Sequence, residues 1–241
     1  MKPPPTIRAS AFFTAGANRG RYEAPMKAIL VGGSGMIGQA VLRELLTRSE
    51  VTRIVAIGRS PLDANHSKVE EVVRKDLHDW SDAGELLGGV DAVLWCLGVS
   101  SGGMSEADYT RITSTLTMDF AKALHARSPQ ARFVFVSGAG ADGNSMWARV
   151  KKKTEDELRA LGFKSFAAFR PGYIQPMDGI ESKTPAYRWM YVFTKPLYPL
   201  FKGMTKYVTS SRQLGFAMVQ VALHGSHKTV LESEDLNAVT R

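Results

Sequence analysis

Cysteine is nearly missing: Cys96 is the single one in 241 residues. An internal disulfide and a thiolate-cage metal site are thereby excluded, and a reducing compartment fits. The five histidines (His66, His78, His125, His224, His227) lack metal-ligand spacing, so no metal is expected. No stretch reaches the roughly 18 charge-free apolar residues of a membrane span. The longest apolar-aromatic run, 189–201, is interrupted by Lys195, Pro196 and Pro199. A zinc pattern and a repeated basic-aromatic stripe are also missing, which argues against nucleic acid as a partner. These absences lead to the expectation of a soluble, cytoplasmic protein with no membrane span.

The rest of the composition is that of a globular chain, with 44% hydrophobic and 22% charged residues, 22 Gly and 11 Pro. That is enough to bury a substantial core, and it argues against wholesale disorder, a coiled coil or a fibrous repeat. The net charge of +8 suits an anionic ligand such as a nucleotide phosphate, or simply solubility. Residues 1–25, with Pro3-Pro4-Pro5 and Arg8, Arg19 and Arg21, follow neither apolar period. They read as a disordered arm or a mis-assigned start before Met26-Lys27; a cleavable targeting peptide is the alternative.

From residue 27 the pattern alternates strand and helix. The short, continuous apolar run at 27–32 has the character of a parallel strand covered on both faces, and further strands read at 52–57, 69–73, 92–97, 132–136 and 165–169. Between them, helical spacing is found at 37–48, 80–87, 107–127 and 147–161, and again at 210–223 with Ser210 or Ser211 as N-cap. This rhythm predicts an α/β, doubly wound, mostly parallel Rossmann sheet, with residues 26–241 forming a single domain. The aromatic and Pro-rich stretch breaks the alternation, so 173–223 reads as a small C-terminal, substrate-side region. Trp189, Tyr191 and Phe193 would line its pocket, or serve core packing or a subunit interface.

The most informative segment is Gly32-Gly33-Ser34-Gly35-Met36-Ile37-Gly38, between the first strand and the first helix. Glycine at the turn allows backbone angles closed to other residues and lets a pyrophosphate approach the main chain. The free N–H groups and dipole at the helix start then attract the phosphates. Gly32, Ser34, Gly35, Met36, Ile37 and Gly38 are therefore expected to bind a dinucleotide. In an NAD site a carboxylate about 20 residues on bonds the ribose hydroxyls; here that place holds Arg59. A guanidinium there can pair with a 2′-phosphate, so NADP is expected over NAD, with Asp63 nearby keeping NAD open. Asp76 and Leu77 would flank the adenine, and Gly98 with Ser100 and Ser101 would line the central ribose and phosphates.

VGGSGMIG (31–38), IGR (57–59), DL (76–77), WCLG (95–98), FVFVSGAGAD (133–142), VKKKTEDEL (150–158) and FRPGYIQP (169–176) occur in order. In this the sequence resembles the short-chain dehydrogenase/reductase superfamily, and is most similar to its atypical NmrA-like and Tat-interacting-protein-like branch, from about residue 26 to 222. The resemblance implies an NAD(P)-binding oxidoreductase. It also implies a Ser after the fifth strand that orients a carbonyl, and a Tyr-x-x-x-Lys on the next helix. The Tyr moves the proton; the Lys holds the nicotinamide ribose and lowers the Tyr pKa. Carried over, Ser137 and Lys151 match as catalytic residues, with Lys151 also cofactor-binding, but the Tyr position is Trp147. Indole N–H only donates, so it can polarise a carbonyl but cannot shuttle a proton. Tyr173, Tyr109, Asp142 and Ser145 are the other candidates. Two functions follow: an NADPH-dependent oxidoreductase on a small carbonyl or alcohol, or a non-catalytic NADP(H)-binding module acting through a protein partner. A homodimer is compatible with either.

Overall fold

Strand β1 (Met26–Val31) is buried along its length except at Lys27, and its side chains alternate between two apolar layers. Ala28 and Leu30 enter one layer, Ile29 and Val31 the other, as the two-residue period of a strand covered on both faces requires. The computed structural model describes residues 25–180, 198 and 203–239; the expected pocket residues Trp189, Tyr191 and Phe193, and the arm up to residue 24, lie outside the described residues.

After β1 come α1 (Met36–Thr47), β2 (Val51–Gly58), β3 (Val69–Val73), α2 (Gly84–Leu87), β4 (Ala92–Trp95) and α3 (Glu106–Thr110). A π-helical turn at Arg111–Thr115 leads into α4 (Leu116–Arg127), followed by β5 (Arg132–Val136), α5 (Met146–Ala160), β6 (Ser165–Arg170) and β7 (Tyr173–Gln175). The last described elements are β8 (Val208–Ser210), α6 (Ser211–His224), β9 (Val230–Glu232) and α7 (Ser233–Ala238). Seven strands form one sheet in the order β3-β2-β1-β4-β5-β6-β9, with every pairing parallel. The order reverses between β1 and β4. That switch point opens a crevice at the carboxyl ends of the strands, where ligands of open α/β sheets bind.

One face is covered by α1, α6 and α7, through Val41, Leu45, Leu214, Met218 and Leu236. The other is covered by Leu87 of α2, Phe120 and Leu124 of α4 and Leu158 of α5. Helices α1 and α6 meet closely at Gly215, where an added Cβ would stand 2.8 Å from the Ala40 backbone. Helix α6 is capped by the Ser210 hydroxyl, which accepts from the Gln213 N–H. This helix belongs to the sheet-covering layer, so the substrate-side assignment of 173–223 does not extend to it.

Other differences from the sequence expectation have local causes. The helix expected over 80–87 forms only at 84–87, because Asp79 draws the Ser81 N–H and hydroxyl into a side-chain turn. The 107–127 helix is interrupted by the π-helical turn. β7 and β8, a two-stranded parallel pair, and β9 were not expected, being three-residue strands too short to show a period; the six-residue α7 was not expected either. Among the described residues no helix is long and apolar enough to cross a membrane.

Candidate functional site

The turn after β1 is shaped by backbone contacts that only glycine permits. Gly32 has φ +81°, and a Cβ on it would lie 2.7 Å from the Leu97 nitrogen. A Cβ on Gly38 would lie 2.2 Å from the Gly32 carbonyl oxygen. The turn is closed by the Gly35 N–H donating to that oxygen at 3.1 Å, and Gln39 Nε2 donates to the Ser34 carbonyl at 3.2 Å. Helix α1 starts at Gly35 with no side-chain cap and no acidic residue in its first turn. An uncapped, charge-free helix start of this kind is ready to receive an anion.

A cleft of about 840 Å³ opens over this turn. Gly32, Ser34, Gly35, Met36 and Ile37 line one end, with Arg59 beside them; Gly98, Ser100 and Ser101 line the middle; Ser137, Trp147, Lys151 and Tyr173 line the far end. Asp76 and Leu77 line an adjoining cavity that shares Arg59, Leu97 and Val99 with the cleft. Gly38 is not among the lining residues: it lies beneath the turn, shaping the cradle by close packing. Asp142 is also outside the cleft, because its carboxylate is engaged by Arg170, which holds its pKa below the usual carboxylate range. Ser145 stands at the N-cap position of α5 and does not line the cleft. Asp63, the residue that kept NAD open, is absent from the lining as well. Its loop is tied back toward β3 by Glu71, whose carboxylate accepts from the Leu62 and Ala64 N–H groups at 2.7 Å each.

At the far end, Lys151 is 7% exposed. Its Nζ donates to the Val136 carbonyl at 2.9 Å and lies 4.8 Å from the centre of the Phe135 ring. Burial pushes its pKa down to about 8, partly opposed by the Glu155 carboxylate one helical turn on. Ser137 is fixed through its backbone N–H, which donates to the Phe169 carbonyl at 2.7 Å. Its Oγ is buried and has no partner among the described residues. A buried hydroxyl left unpaired costs free energy until something bonds it, so it fits a ligand atom better than a packing role. Trp147 rests over the loop after β5: a Cβ on Gly138 would lie 3.6 Å from its ring.

Sequence reasoning could not place Tyr109 and Tyr173; the structure brings both to the cleft. Tyr109 is buried in α3. The Tyr173 hydroxyl donates to Gln175 Oε1 at 2.9 Å, and its backbone N–H donates to the Tyr207 carbonyl at 2.8 Å. Lys75 and Arg111, which face the adjoining cavity, were missed altogether. Behind the wall lies a buried ion cluster. Arg170, 3% exposed, donates through Nε and Nη2 to both oxygens of the fully buried Glu155 at 3.0 and 2.6 Å.

The comparisons bear on this cleft. The mitochondrial protein fmp52-1 of Aspergillus oryzae is 29% identical over 60% of this chain, which spans 64% of that relative's length. The mitochondrial protein FMP52 of Meyerozyma guilliermondii is 29% identical over 73% of this chain and 80% of its own. These names overturn the expectation of a cytoplasmic protein. Among solved structures, the enzyme WbmH of Bordetella bronchiseptica in complex with NAD+ superposes with a TM-score of 0.64 at 18% identity, over 86% of this chain and 74% of its own. That likeness speaks for the shared fold. The model of a family described as NAD(P)H-binding matches residues 32–184, a stretch that begins at the glycine turn and contains Arg59, Ser137 and Lys151. The chain therefore belongs to the NAD(P)H-binding family, with a Rossmann-like α/β fold.

Proposed function

We propose that the chain is an NADP(H)-dependent oxidoreductase acting on a small carbonyl or alcohol substrate. The observation that carries this reading is the unpartnered Ser137 hydroxyl in the same cleft wall as Lys151. The glycine cradle and uncapped α1 start would hold the pyrophosphate, and Gly98, Ser100 and Ser101 the central riboses. Arg59 favours a 2′-phosphate, since Asp76 is the only carboxylate among the described residues lining either cavity. When bound, NADP(H) supplies or accepts a hydride. Ser137 Oγ would donate to the substrate carbonyl oxygen, drawing charge toward it. The Lys151 ammonium would hold the nicotinamide ribose and favour negative charge nearby. The Trp147 indole can add a hydrogen bond but no proton, so the proton comes from water or from a cleft tyrosine. The names of the relatives support a mitochondrial setting.

Trp147 itself favours a second reading, an NADP(H)-binding module that works through a protein partner without turnover. The two are separated by following reduced-nicotinamide absorbance across an aldehyde and ketone panel, with calorimetry of NADPH alongside. Turnover that falls by about 100-fold or more in Ser137→Ala supports the enzyme. Tight NADPH binding with no turnover on any substrate supports the module, and failure to bind NADPH refutes both.

A further inference from the structure

The cleft continues beyond Arg59 into the adjoining cavity of about 380 Å³, bounded by Lys75–His78 on one side and Arg111, Ile112 and Leu116 on the other. Three separate segments bring cations to it: the end of β2 with Arg59, the loop after β3 with Lys75, and the π-helical turn with Arg111. None of the three side chains has a hydrogen bond or ion pair within the described residues. By contrast, Arg48, Arg53, Arg74, Arg149 and Arg170 are all bonded to carboxylates. Asp76, the one acidic residue among the described lining residues, accepts from the His78 backbone N–H at 2.8 Å. The His78 ring is bonded to Asp119 at 2.7 Å, which ties this loop to α4 and fixes the cavity wall. Its floor is apolar, with Leu77 and Leu116 buried.

An apolar floor beside three cations and a single carboxylate, a surplus of positive charge, suits a flat base carrying a nearby anion. Like charges in excess of their counter-charge repel one another, and an anion between them relieves that repulsion. Arginine adds a planar fork that matches phosphate oxygens two at a time. We propose that Arg111 and Lys75 complete, with Arg59, a three-cation seat for the 2′-phosphate of NADP(H), and that Arg111 is a specificity-determining residue. This rests on the reading of the main cleft as an NADP(H) site. The π-helical turn gives Arg111 its place, and wide turns of this kind recur at functional positions in helices.

The test is calorimetry on the full chain with NADPH, NADH and 2′,5′-ADP, comparing wild type with R59Q, K75Q and R111Q. All three side chains are exposed, and the NADH measurement reports whether each variant keeps its fold. R111Q and K75Q should each weaken NADPH and 2′,5′-ADP by about tenfold, with NADH changed less than about twofold. R111Q that leaves NADPH affinity intact overturns the proposal, as does R111Q that weakens NADH equally. If wild type is NADPH-selective and only R59Q removes the selectivity, the proposal falls while the cofactor reading stands. If wild type binds neither dinucleotide, the cofactor reading falls first.

Discussion

Two alanine substitutions three residues apart should give opposite readouts, and together they test the cradle. At Gly38 an added Cβ would stand 2.2 Å from the Gly32 oxygen and 2.7 Å from the Gly33 Cα, where real contacts stay above 3.0 Å. The obstruction is backbone, so helix α1 and the turn must separate by about 0.8 Å to admit it. Overpacking of this kind costs about 1–3 kcal/mol, and a domain of this size loses about 2–4 °C of Tm per kcal/mol. Gly38→Ala should therefore lower Tm by about 2–12 °C. At Gly35 the backbone has an ordinary φ of −79°, and the nearest atom to an added Cβ is 3.5 Å away. Gly35→Ala should melt within about 1 °C of wild type, yet its methyl group enters the cleft at the helix start and should weaken NADPH by about tenfold or more. Thermal melts and calorimetry read the two effects separately. A wild-type melt for Gly38→Ala would refute the packing argument, and wild-type NADPH affinity for Gly35→Ala would refute the phosphate seat.

Lys151 has a folded pKa of about 8 against 10.5 in a free chain, so between those values the unfolded state holds the extra proton and stability should rise with pH. Urea midpoints across that window should show the rise in wild type and a flattened one in Lys151→Met, while NADPH affinity in wild type falls as pH passes about 8. Arg170→Met strands the buried Glu155 carboxylate and should cost about 3–5 kcal/mol in urea denaturation. The double variant Arg170→Met, Glu155→Leu should recover most of that, and a single-variant loss under about 1 kcal/mol would contradict the pairing. Trp147→Tyr supplies a hydroxyl that can both give and take a proton one helical turn before Lys151. It should raise initial rates on a carbonyl substrate by about 10-fold or more, and a fall in rate would remove position 147 from the proton path.

The main sheet was legible because five of its first six strands are largely apolar runs bounded by turns, a signal that survives without tertiary context; β3, with Glu70 and Glu71 in it and no buried residue, carries that signal weakly. β9 pairs with β6 over Val230–Glu232 alone, and three residues carry no period to read. The glycine turn was legible because chemistry and spacing coincide there, and Ser137 and Lys151 because the resemblance carried them. At Gly38 spacing tells only that a Cβ is unwelcome; the structure supplies the atoms that exclude it, the Gly32 oxygen and the Gly33 Cα. Arg111 gave no signal: a π-helical turn shifts which residues share a face, and the helical period assumed for 107–127 has no place for it. Tyr109 and Tyr173 became informative only once folding set their elements around one cleft.

The Arg170 cluster has a mechanical consequence. The same guanidinium grips Glu155 on the helix that bears Lys151 and Asp142 on the loop that follows Ser137, while its own strand runs on to Gly172 at the cleft. Three pieces of chain distant in sequence are thus pinned to one planar group, and that side of the crevice can only move as a block. Any hinging on that side that admits a substrate must carry all three segments with it.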